Sequence, residues 1–215
     1  MRIFLDTADV TAIRRAADTG LLDGVTTNPT HLLKAGRRLE DIVTEICEIV
    51  SGPVSVEAVG ESSGELTAEA VRLSKLAPNV AVKMPMTVEG LKAGRLLEAR
   101  ENVRVNVTMV FSAAQALLAM KTGATFVSLV LSRLDAIGAD SDLLVRDTMV
   151  VKRNYCFRSE IIAASLKTQN HVLSSARAGV DVVTMPDSLF FQMFHHPLTE
   201  AGLAQFAKDW KSLPG

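Results

Sequence analysis

Short runs rich in β-branched residues alternate along the chain with longer stretches of helical period. The runs cover residues 3–6, 25–27, 54–59, 80–84, 103–109, 126–131, 160–165 and 180–185, eight in all. Their starts lie roughly 20 to 34 residues apart, the length of a strand, a helix and two short loops. Between them, Leu39, Ile42, Val43, Ile46, Ile49 and Val50 fall on one helical face, and Ser51-Gly52-Pro53 stops that helix. Ser112-Ala113-Ala114-Gln115 has capping-box spacing and opens a helix that ends at Lys121-Thr122-Gly123. Thr87, Asp187 and Thr199 are further N-cap candidates. The Met and Phe residues of 185–194 read as helix core, and 199–210 places Leu203, Phe206 and Trp210 on one face.

Runs such as Val80-Ala81-Val82 and Val180-Asp181-Val182-Val183 are too apolar for strands with one wet face. Strands covered on both sides read this way, which predicts a parallel sheet with helices outside. Eight β/α units in this length predict a compact closed (β/α)8 TIM barrel with a C-terminal helix, a single domain over 1–215. The competing open, doubly wound sheet would carry a Gly-rich phosphate loop after its first strand, and none follows residues 3–6.

Composition narrows the function. Lys plus Arg number 23 against 24 Asp plus Glu, a net charge of -1, so no nucleic-acid partner is expected. No apolar run is long enough to span a bilayer, and the N-terminus is too short for a signal peptide, so no membrane partner is expected. Cys47 and Cys156 form neither a disulfide framework nor a metal-ligand spacing, which suggests a reducing cytoplasm. His195 and His196 are adjacent, so their side chains diverge, and no metal or other cofactor is expected.

A barrel of this kind carries its chemistry at the C-terminal strand ends. Seven of the eight runs deliver a polar or ionisable side chain there: Asp6, Thr26 and Asn28, Glu57, Lys83, Asn106 and Thr108, Arg133, and Ser165 with Lys167. Lys83 sits among Ala81, Val82, Met84 and Pro85. Burial disfavours an ammonium, and a neutral amine in a pocket attacks carbonyls to give a Schiff base. The alternative is a strand-end lysine that snorkels to water. Asp6 and Glu57 are the rim carboxylates available for proton transfer, or else form structural ion pairs or caps. Thr26, Asn28, Asn106 and Thr108 offer neutral hydrogen bonds to sugar hydroxyls or a water, although Asn28 before Pro29 is also ordinary turn chemistry. Arg133, Ser165 and Lys167 suit a phosphate clamp, unless Arg133 pairs with Asp135 or Asp140.

At these residues the sequence resembles the transaldolase family, in its small-subunit branch, which includes the fructose-6-phosphate aldolases. Ile3-Phe4-Leu5-Asp6-Thr7, Gly24-Val25-Thr26-Thr27-Asn28-Pro29-Thr30, Val82-Lys83-Met84-Pro85-Met86-Thr87, Asn106-Val107-Thr108, Phe111 to Ala116, Ser132-Arg133-Leu134-Asp135 and Ala163-Ala164-Ser165 carry the likeness, which runs on to Phe206-Ala207-Lys208-Asp209-Trp210. The resemblance implies a metal-free mechanism with sugar-phosphate substrates. Lys83 would form the Schiff base, Asp6 would take the C4 hydroxyl proton, and Glu57 with Thr108 would hold a proton-shuttling water. Asn28 and Asn106 would bind the dihydroxyacetone enamine, and Arg133, Ser165 and Lys167 the phosphate. It also implies a homo-oligomer, a pentameric ring or a decamer of stacked five-membered rings, in which the C-terminal helix reaches a neighbour. Glu57 stands where the aldolases carry glutamine, which favours transaldolase over an aldolase that releases free dihydroxyacetone. The departure is Val130, where the family places Phe or Tyr, and it predicts an altered substrate range or weaker activity. A non-catalytic sugar-phosphate-binding barrel is the remaining reading, and retention of Lys83, Asp6 and Glu57 argues against it.

Overall fold

The structure, a computed structural model, describes residues 1–213. Its strands are β1 (Arg2–Asp6), β2 (Gly24–Thr26), β3 (Val54–Glu57), β4 (Val80–Pro85), β5 (Val105–Val110), β6 (Phe126–Val130), β7 (Glu160–Ala164) and β8 (Val182–Met185). They form a closed barrel in chain order, every pair parallel, and β8 closes on β1 from Arg2–Val182 to Leu5–Met185. Helices α1 (Val10–Ala17), α2 (Pro29–Ala35), α3 (Leu39–Ile49), α4 (Ser63–Ser74), α5 (Val88–Leu96), α6 (Ala113–Lys121), α7 (Leu131–Asp135), α8 (Ser141–Asn154), α9 (Gln169–Ala178), α10 (Asp187–Gln192) and α11 (Pro197–Lys211) fill the connections and the C-terminus. This is the expected (β/α)8 barrel with a C-terminal helix.

The two-residue period of the strands decides what goes where. Leu5, Val25, Val54, Val56, Val82, Met84, Val105, Val107, Leu129, Ile161, Ala163, Val183 and Met185 point outward and join the helices in one large core. The alternate positions point into the barrel. At its N-terminal end these are Phe4, Ala81, Phe126, Ile162 and Val182, a separate apolar plug in which Phe4 meets Phe126 edge-on at 6.4 Å. The Arg2 guanidinium lies over both rings, 5.4 and 5.6 Å from their centroids, and pairs with Glu160. Gly24 leaves room for this layer, because a Cβ there would lie 2.6 Å from the Phe4 ring. One barrel interior is thus apolar below and, two residues further along β1, β4, β6 and β8, polar above.

Helix starts largely follow the sequence. Thr87 caps α5 through Gly90, and Ser112 caps α6 through Gln115, whose own side chain accepts from the Phe111 N–H at 2.8 Å. Two expectations need correction. Asp187 is the first residue of α10 rather than its cap, since Pro186 holds the cap position. Thr199 lies inside α11, which begins two residues earlier because His196 Nδ1 accepts from the Leu198 N–H and Pro197 suits the first turn. The Val103 and Val180 N–H groups close the preceding helical turns onto Leu97 and Ser175, which delays β5 and β8 by two residues each relative to expectation.

Of the 185–194 stretch, Met185, Leu189 and Phe190 are buried, whereas Met193 and Phe194 are exposed. Helix α11 buries no residue at all, and its Leu203, Phe206 and Trp210 are exposed, Trp210 at 78%. Among the described residues no helix is long and apolar enough to cross a membrane.

Candidate active site

The upper, polar half of the barrel interior opens into a cavity of about 460 Å³. Strand register assembles its floor and walls. Asp6 aligns with Thr26, Glu57 with Lys83, and Val130 with Ala164. Each of these side chains has inward parity, together with Thr108, Ser128 and Thr184, and all of them line the cavity.

Lys83 is 8% exposed, in the middle of β4. Its Nζ donates to the Thr27 carbonyl at 2.9 Å and lies 3.5 Å from Glu57 Oε2. The snorkelling alternative is therefore excluded by position: the amine ends inside the barrel mouth. Asp6 accepts from the Thr26 hydroxyl at 3.0 Å, and the Thr26 and Thr184 hydroxyls share a hydrogen bond of 2.7 Å. Asn28 caps α2, its Oδ1 accepting from the His31 N–H at 3.0 Å, and it also borders the cavity.

The opposite rim is cationic. Arg133, in the short α7, contacts Met109 Sδ at 3.8 Å, and among the described residues it pairs with no carboxylate. Asp135 pairs instead with His171 at 3.1 Å and Asp140 with Arg146 at 3.6 Å. His171 also accepts from the Lys167 N–H, which fixes the loop after β7. Ser165 exchanges a 2.7 Å hydrogen bond with Ser132. Arg133, Ser165 and Lys167 thus come to one side of the cavity, where they suit an anion. Met109 and Ser165 both hold positive φ, 63 and 60°, and the β5–β6 register shifts between Val107 and Val110. Such backbone strain in non-glycine residues gathers at functional sites.

Of the ten residues singled out from sequence, nine line this cavity: Asp6, Thr26, Asn28, Glu57, Lys83, Thr108, Arg133, Ser165 and Lys167. Asn106 does not. It is fully buried beneath, donating to Ser55 Oγ at 3.1 Å and accepting from Ser128 Oγ at 2.7 Å. Its amide thus braces β3, β5 and β6 beside Lys83, its neighbour in register. Val130 is in the wall, so an aromatic ring at that position would project into the cavity. Sequence reasoning passed over His31, Ser128 and Thr184. Parity marks the last two, since they lie two residues from Phe126 and Val182, but no motif marks His31. Among the described residues no cluster of three or more His, Cys, Asp or Glu side chains could hold a metal ion.

Comparison with known proteins gives the chain's family. The family described as Transaldolase/Fructose-6-phosphate aldolase matches residues 3–215. A Geobacter sulfurreducens protein named "Probable transaldolase" is 48% identical, with 100% of each chain covered. A Herpetosiphon aurantiacus protein of the same name is 50% identical over 100% of this chain and 96% of its own. A Listeria monocytogenes protein named "Probable transaldolase 2" is 48% identical over 99% and 97%. A solved structure from Burkholderia cenocepacia J2315, provisionally named a phosphonomutase, superposes with a TM-score of 0.62 over 95% of this chain and 92% of its own. At 13% identity it shares the fold alone.

Proposed function

Because the chain belongs to the transaldolase and fructose-6-phosphate aldolase family, we propose that it is a transaldolase acting through a Schiff base on Lys83. It would move a dihydroxyacetone unit from fructose 6-phosphate or sedoheptulose 7-phosphate to an aldose phosphate, as in the pentose phosphate pathway of the cytoplasm. The observation that carries this reading is the Lys83 amine, buried in the barrel mouth 3.5 Å from a carboxylate and facing a cavity with a cationic rim.

Lys83 Nζ attacks the ketose C2 carbonyl, and the carbinolamine loses water to give the imine. Glu57, beside the amine, passes the protons of this step through a water that Thr108 helps to hold. Asp6 then takes the C4 hydroxyl proton. The C3–C4 bond breaks, its electrons move to the imine nitrogen, and the aldose phosphate leaves. The Thr26 hydroxyl bonded to Asp6 keeps that carboxylate aimed at the substrate. Asn28 holds the remaining enamine from the rim, while Asn106 acts from beneath through Ser55 and Ser128. Arg133, Ser165 and Lys167 anchor the phosphate across the cavity. The enamine adds to the acceptor aldehyde, and hydrolysis frees Lys83.

The test is glyceraldehyde 3-phosphate release from fructose 6-phosphate, with and without erythrose 4-phosphate. Sustained release only with the acceptor is expected. Sustained release without it identifies an aldolase that frees dihydroxyacetone to water, and silence in both leaves a binding protein or a different substrate. The exposed Leu203, Phe206 and Trp210 on α11 support a homo-oligomer in which this helix docks on a second copy. Light scattering that returns a 23.1 kDa monomer contradicts that assembly.

A further inference from the structure

Asp6 has a neighbour that the reaction scheme above leaves unused. His31 is the third residue of α2, and the Asn28 cap on its N–H fixes where that first turn begins. Its ring lines the cavity, with Nδ1 3.9 Å from Asp6 Oδ1. That nitrogen is shielded from solvent and has no hydrogen-bond partner. Buried polar atoms are seldom left so, and here the missing partner points at the catalytic carboxylate. The same Asp6 oxygen already accepts from the Thr26 hydroxyl, which is bonded in turn to the Thr184 hydroxyl. The carboxylate is thus flanked by a hydroxyl chain and an imidazole.

The charges around the ring favour its neutral form. Burial lowers the His31 pKa, the largest effect, and Lys34 on its own helix, Lys83 of β4 and Lys167 beyond β7 lower it further. Asp6 of β1 is the one group that works in the opposite direction. Asp9, Arg37 and Asp187 share the adjoining groove with it. A neutral imidazole has one unprotonated nitrogen, able to accept a proton from an adjacent acid.

We propose, building on the Schiff-base reading, that His31 is a positioning residue for Asp6, taking through Nδ1 the proton that Asp6 draws from the substrate hydroxyl. The substrate O–H bond breaks as the Asp6 O–H bond forms. That bond then breaks as Nδ1–H forms, leaving an Asp6 carboxylate beside an imidazolium. When the enamine adds to the acceptor aldehyde, the new alkoxide recovers the proton by the reverse route, so nothing is consumed. The emptied carboxylate cannot hand its proton back early, which favours departure of the aldose phosphate.

The test compares natural protein with His31→Gln, which keeps a hydrogen-bonding group but takes no proton, and with His31→Leu. Two readouts are needed: kcat for transfer to erythrose 4-phosphate between pH 5 and 9, and borohydride trapping of dihydroxyacetone on Lys83. Trapping needs no C4 proton transfer. Both variants should trap dihydroxyacetone like the natural protein yet lose kcat by about tenfold or more. The acid limb that the natural protein shows as His31 protonates, on the acid side of the ordinary histidine range, should be absent from both. Unchanged kcat, or reduced kcat with the acid limb intact, overturns the role of His31 and leaves the Schiff base standing. A natural protein that neither traps dihydroxyacetone nor transfers it overturns both.

Discussion

Replacing Lys83 by Met and Glu57 by Leu together should leave the barrel at least as stable as the natural chain while abolishing catalysis. The two charges lie 3.5 Å apart, with side chains 10% and 24% exposed. At an effective dielectric of about 20, their attraction is about 5 kcal/mol. Desolvation costs several kcal/mol for each ion, so one such attraction does not offset two such costs. The Thr27 carbonyl adds one charge-assisted hydrogen bond, about 1.5–3 kcal/mol, which narrows the deficit without closing it. Replacing buried pairs by apolar groups of similar volume gives about 0–4 kcal/mol of added stability. Because Glu57 keeps some contact with water, about 1–2 kcal/mol is expected here. In a chain of this size that is a rise in Tm of roughly 2 to 8 °C. The single Lys83→Met variant should fall between, since its unpaired carboxylate still reaches solvent. Thermal and urea unfolding followed by circular dichroism measures all three, provided the urea slope is unchanged. A double variant several kcal/mol less stable refutes the reasoning: the pair would then be structural, and its place in the mouth would say nothing about chemistry.

Other expectations follow from the same geometry. Val130→Phe should raise turnover on fructose 6-phosphate, because the ring enters the cavity wall beside Ala164 and excludes water; unchanged turnover removes Val130 as a determinant. Burial pushes the Cys47 thiol up to about 11, whereas Cys156 is exposed, so a thiol reagent at pH 8 should titrate one cysteine in native protein and two in denaturant. The lowered pKa of His31 means that the unfolded chain, at about 6.5, binds this proton more readily than the folded one. Its contribution to stability is therefore complete above that pH and lost as pH falls through the lower folded value. His31→Leu should flatten this acid-side loss, and an unchanged pH–stability curve would contradict the assignment.

Barrel architecture was legible because eight apolar runs at regular spacing admit few topologies, and because both faces of each strand are covered. The site was legible for a related reason. Once strand parity is fixed by the outward Val, Leu and Ile positions, Asp6, Glu57 and Lys83 must point inward, and all three line one cavity. Asn106 shows the limit of that logic. It shares the parity of Lys83 and aligns with it in register, yet it is fully buried outside the cavity, where Ser55 and Ser128 occupy its amide. His31 was illegible because it sits on a helix, where its reach toward Asp6 depends on the angle at which α2 leaves β2. The starts of α10 and α11 were misjudged because Pro186 and His196 compete with better capping residues and win through the local chain path.

The measurement that tests the central claim most directly is borohydride reduction with fructose 6-phosphate, followed by peptide mass mapping. The account predicts a single stable dihydroxyacetone adduct on Lys83, lost in Lys83→Met. An adduct elsewhere, or full transferase activity in Lys83→Met without one, contradicts it.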